Sequence, residues 1–112
     1  MSWVTKAESL ITALASIGVK ATMDPRKVSV PGALIVPPTL KRVVGSGLYA
    51  AWEIHLVAPA PADLDSVKWL LDNLDAAFEA VGADSAQFAN LTIDPAQGSL
   101  PAYSLTIIAQ PL

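Results

Sequence analysis

Few side chains in this sequence could do chemistry, and the most suggestive pair is Glu53 and His55. They stand two apart in an alternating stretch, so a strand turns both to one face. There an imidazole and a carboxylate could serve as base and orienter, or supply two metal ligands. His55 is the only histidine and there is no cysteine. No third ligand stands at a recognisable metal spacing, and no serine lies in a nucleophile-elbow pattern. The pair therefore reads as solvated or interfacial, on the outer face of a sheet. A second candidate, the acidic set Asp63, Asp65, Asp72, Asp75 and Glu79, falls mostly on the side of a helix away from its apolar stripe, as a solvated face does. A third, Gly45-Ser46-Gly47, lacks the following helix that a phosphate cradle needs, because a strand comes next. No catalytic, cofactor-binding or metal-binding residue is expected, and the chain reads as a non-enzyme.

The elements that carry these residues are legible in the periodicity. Ala7, Leu10, Ile11, Leu14 and Ile17 recur at three- and four-residue spacing, predicting a helix from about Ser2 to Ile17 that Gly18 ends. Asp24-Pro25 marks a turn in the polar segment that follows. Ala33 to Val36 reads as a short strand buried on both faces, with Pro37 and Pro38 expected to end it. Thr39 to Gly47 is expected to be an extended, mobile connection carrying Lys41 and Arg42. Leu48 to Val57 alternates, with Ala50, Trp52, Ile54 and Leu56 opposite Ala51, Glu53, His55 and Val57. A second helix is predicted from Asp63 to Val81, its core stripe read as Leu64, Val67, Leu71, Leu74, Phe78 and Val81 and widened by Trp69 and Leu70, with Gly82 as its stop. Two strands, Gln87–Ile93 and Leu100–Ala109, follow as a hairpin around Asp94–Ser99. The expected fold is α+β in the order α-β-β-α-β-β: a four-stranded, mainly antiparallel sheet with both helices packed on one face, as a single domain over residues 1–112.

Composition narrows the function class. Hydrophobic residues make up 53% and charged residues 15%, leaving too little polar side chain to cover a small lone subunit. An oligomer is expected. The net charge of −3 opposes sequence-independent nucleic-acid binding, which needs a basic face. Leu10–Val19 is apolar but too short to span a bilayer, and Glu8 sits where a signal peptide would be basic. The chain is expected to be soluble and cytoplasmic. Trp3, at the start of a helix, is hard to bury in one small subunit and is a candidate interface anchor.

The order of elements, with Pro31-Gly-Ala-Leu-Ile-Val-Pro-Pro38 and Tyr49-Ala-Ala-Trp-Glu-Ile-His-Leu-Val57, resembles the tail terminators of long-tailed (siphovirus-type) actinobacterial phages. The likeness covers nearly the whole chain and rests on architecture and texture. It implies a structural virion protein at the head-proximal end of the tail, assembled in the host cytoplasm. Such a protein closes into a ring, commonly of six subunits, that caps the tail tube, ends its polymerisation and joins the head connector. The implied partners are copies of itself, the tail tube protein and the connector or neck protein. DNA passes through the lumen without sequence-specific recognition, and no membrane or cofactor is involved. The family's contacts, carried onto this sequence, fall on Trp3, on Thr39, Leu40, Lys41, Arg42, Val43, Gly45 and Gly47, and on Ile107, Gln110 and Leu112. The alternatives are a neck or head-completion protein of the same particle, or a small ferredoxin-like ligand-binding or enzyme-subunit domain.

Overall fold

The structure is a computed structural model that describes residues 3–28, 31–43, 47–58, 64–91 and 100–109. Helix α1 (Trp3–Ala15) is followed by strand β1 (Ala21–Thr22), a 3-10 turn at Pro25–Lys27, and strands β2 (Gly32–Val43) and β3 (Gly47–Val57). Helix α2 (Leu64–Val81) then leads to β4 (Ser85–Leu91) and β5 (Leu100–Ala109). The result is α+β, with two helices and an open mixed sheet of five strands in the order β1-β2-β3-β5-β4. β1 runs parallel to β2 and every other pairing is antiparallel.

Both helices end where the sequence places a glycine. Gly18 and Gly82 have φ of +84° and +66°, the left-handed region that other residues enter at a cost. The turns close through Val19 N–H to the Leu14 carbonyl and Ala83 N–H to the Phe78 carbonyl, both at 3.0 Å. At the Asp-Pro turn, the Asp24 carboxylate caps the 3-10 segment by accepting the Arg26 N–H at 3.0 Å. That hydrogen bond, and then the Arg26 side chain, holds the Asp24 carboxyl below its ordinary pKa.

One core cluster joins both helices to one sheet face. Ala7, Leu10 and Leu14 of α1 and Leu70, Ala77 and Val81 of α2 pack with Ala33, Ile35, Ala50, Trp52, Ile54, Leu56, Leu105 and Ile107. The alternation read in β3 is the observed one, since Ala50, Trp52, Ile54 and Leu56 are all buried. A smaller cluster of Val57, Leu100 and Ala102 lies on the opposite face, with Leu91 packed against it.

The structure corrects the sequence reading in four places. There are five described strands, not four: the polar segment after α1 supplies β1, which pairs Ala21 with Ala33 and Thr22 with Leu34. Two residues are too short a stretch to show any periodicity. β2 does not stop at Pro37. It continues to Val43, because a register shift between Val36 and Thr39 takes the two prolines out of the ladder, as a bulge does. Thr39–Val43, expected to be an extended but mobile connection, is therefore a paired strand, in register with Gly47–Ala51. The buried stripe of α2 is also rotated. Leu70 and Val81 are buried as expected, with Trp69 and Phe78 packed against the core, but Ser66 and Ala77 face inward where Leu64 and Leu71 were expected, and those two leucines are exposed. Small side chains at 66 and 77 let the helix lie close to the sheet, which decides the face against the larger leucines. β4 begins at Ser85, two residues earlier than expected, and Asp94–Ser99 lies outside the described residues.

Candidate functional site

The sheet face opposite the helices carries a polar cluster. His55 on β3 is paired across the ladder with Ser104 on β5, and His55 Nδ1 shares a 2.8 Å hydrogen bond with Ser104 Oγ. Glu53, two residues along β3, brings Oε2 to 3.9 Å from His55 Nε2, within ion-pair reach but too far for a hydrogen bond. Sequence spacing found Glu53 and His55 but missed Ser104, which is 49 residues away in the chain. The signal was present, because Ser104 falls inside the strand expected at Leu100–Ala109 and His55 inside the one expected at Leu48–Val57. Aligning those two strands would have joined them.

A serine, a histidine and a carboxylate in a row invite comparison with nucleophilic catalysis. That chemistry also needs amide donors aimed at a developing oxyanion. Ser104 lies within a strand paired on both sides, with β3 and with β4, so the amides around it are committed to the ladders. The cluster can hold His55 in place, and it provides a titrating group at a surface that another chain could cover.

Burial dominates His55 and lowers its pKa; the Glu53 carboxylate pulls the other way but does not prevail. The unfolded chain therefore takes up a proton, near an imidazole value of about 6.5, more readily than the folded one. Stability falls as pH drops through that value, and goes on falling until the lower, folded-state pKa is passed. In urea titrations the unfolding midpoint of the wild type is expected to drop more between pH 7.5 and 5.5 than that of His55→Gln. Equal drops would remove His55 from the pH response.

The other sequence candidates stay apart. Asp65, Asp72, Asp75 and Glu79 lie exposed along α2, while Asp63 and Gly45 lie outside the described residues. No group of three or more side chains able to hold a metal occurs among the described residues. A shallow open depression beside β1 is lined by Lys20, Ala21, Thr22 and Lys27. Both of its lysines face solvent, with no buried polar group behind them. Among the described residues no helix is long and apolar enough to cross a membrane.

The expected contact residues divide by position. Thr39, Leu40, Lys41, Arg42 and Val43 form one strand of a two-stranded hairpin arm, and Gly47 begins the other. Among the described residues β5 pairs with β3 from Ala50 onward, and Lys41–Val43 and Gly47–Tyr49 are paired with each other. Leu40 is 48% exposed, Lys41 and Arg42 are exposed, and among the described residues neither cation has an ion pair. Trp3 is the first residue of α1. Ile107 is only 5% exposed and sits in the core, so it supports β5 from beneath and is no surface contact in the single subunit. Its neighbour Ile108 is the exposed apolar residue of that strand. Gln110 and Leu112 lie outside the described residues. Comparisons of the chain with protein-family models, with curated proteins and with solved structures find no match.

Proposed function

We propose that this chain is a structural virion protein that closes into a ring on the last ring of a phage tail tube, ends tube growth, and offers its other side to the head connector. The observation that carries this reading is the hairpin arm. A pre-ordered two-stranded arm costs little entropy to dock, and it carries an exposed leucine and two exposed cations that have no ion pair among the described residues. Its cationic character suits an acidic neighbour, either a tube subunit or another copy of this acidic chain.

The unevenness of the sheet's edges supports the same reading. Among the described residues β1 covers β2 at Ala33 and Leu34; beyond them β2 holds Pro37, Pro38 and a register shift. Missing amide donors and an irregular ladder discourage another strand from adding there. A subunit that must accept one ring and refuse the next needs such a blunted edge. The reading is tested by imaging the assembled particle. It expects a symmetric ring of this chain between tube and connector. A ring one level nearer the capsid would make it a neck protein, and no ring would end the proposal.

A further inference from the structure

We infer that the outer edge of β4 is a self-docking edge, and that in the free protein two copies pair antiparallel through it, fusing their sheets across a two-fold axis. The pairing concerns the free protein and stands whether or not the chain closes into a ring on a tail.

β4 is the last strand in the sheet order, and no described strand pairs with its outer side. An edge strand turns the N–H and C=O of alternate residues outward, a template for another strand unless proline, charge, a bulge or a covering element blunts it. The β2 edge has three of those protections: Pro37 and Pro38, the register shift, and the exposed charges of Lys41 and Arg42. The seven residues of β4, Ser-Ala-Gln-Phe-Ala-Asn-Leu, have neither proline nor charge and keep a regular register with β5 throughout. Asp84, just before the strand, accepts the Ile108 N–H at 2.8 Å, which draws its carboxylate toward β5.

Charge and symmetry together select the occupant. A charged partner strand finds no counter-charge on this edge, whereas β4 of a second copy is neutral, free of proline and equal in length. Phe88 is the central residue of Ser85–Leu91. Antiparallel alignment about it places Phe88 opposite Phe88 and Gln87 opposite Ala89, so no like charges meet. Each outward backbone group then faces its symmetry mate. The Phe88 ring meets Tyr103 edge-on at 5.5 Å and 72° within its own subunit, yet remains 45% exposed. An aromatic half covered at the centre of an open edge is the side chain a second copy would bury.

Sedimentation velocity on the purified chain tests the inference. The wild type is expected to dimerise. Phe88→Lys and Phe88→Glu each place two like charges on the two-fold axis, so each alone should weaken the dimer by about tenfold or more, roughly 1.4 kcal/mol. An equimolar mixture of the two should restore dimers, because opposite charges then face each other. Far-UV circular dichroism reports whether the variants fold. If they do not, amide exchange of the wild type decides: protection along β4 should rise with protein concentration while protection in β3 stays constant. A wild type that stays monomeric, a dimer indifferent to both charges, or β4 exchange independent of concentration would each overturn it.

Discussion

Replacing Trp52 with alanine lowers folding stability by about 3–5 kcal/mol, the cost of emptying a large aromatic site in a packed core. Trp52 is 1% exposed and belongs to the cluster that contains residues of both helices. It stands on β3, the central strand of the sheet, opposite Ile107 on β5. No single helix can move in to fill the space without leaving its other contacts. At about 4–8 °C per kcal/mol for a domain near this size, thermal unfolding drops by more than about 12 °C. Trp52→Phe retains much of the buried area and loses less. Circular dichroism melts of the two variants check the ordering. A Trp52→Ala protein that melts within a few degrees of wild type would mean that this core is not what holds the sheet to the helices.

Reversing the arm charges has the opposite profile. Lys41→Glu combined with Arg42→Glu should leave the melting temperature close to wild type, because both side chains are exposed and among the described residues neither joins an ion pair. Docking should suffer severely, since two cations that matched an acidic surface become two anions facing it. Electron micrographs of particles grown with the double variant should show unjoined heads and tails, or tubes of uncontrolled length. Normal particles would take the arm out of the mechanism. An unfolded protein would show that the arm is needed by the fold itself.

Periodicity made much of this fold legible. The alternation of Ala50, Trp52, Ile54 and Leu56 announced the central strand and its buried face. Gly18 and Gly82 marked both helix ends, since a left-handed residue is a local requirement that sequence shows directly. What stayed hidden was settled by partners distant in the chain. β1 is a strand only because β2 lies beside it. Pro37 and Pro38 read as a stop, yet a shift of register against β3 carries the strand past them, and no local signal distinguishes those outcomes. In α2, leucines at 64 and 71 looked like core, but Ser66 and Ala77 permit the closer approach that buries them and leaves the leucines outside. The polar cluster followed the same rule: Glu53 and His55 were visible as neighbours, whereas Ser104 joined them only through the pairing of β3 with β5.

The central claim is that this chain ends a tube by forming a ring on it, and imaging the junction between tail and connector tests that most directly. A symmetry-averaged reconstruction from cryo-electron microscopy should place one ring of this chain there, each copy's Leu40–Arg42 arm lying against an acidic surface of a neighbouring copy or tube subunit. A reconstruction with no symmetric ring of this chain at that level would contradict the account, as would one whose arms point into solvent.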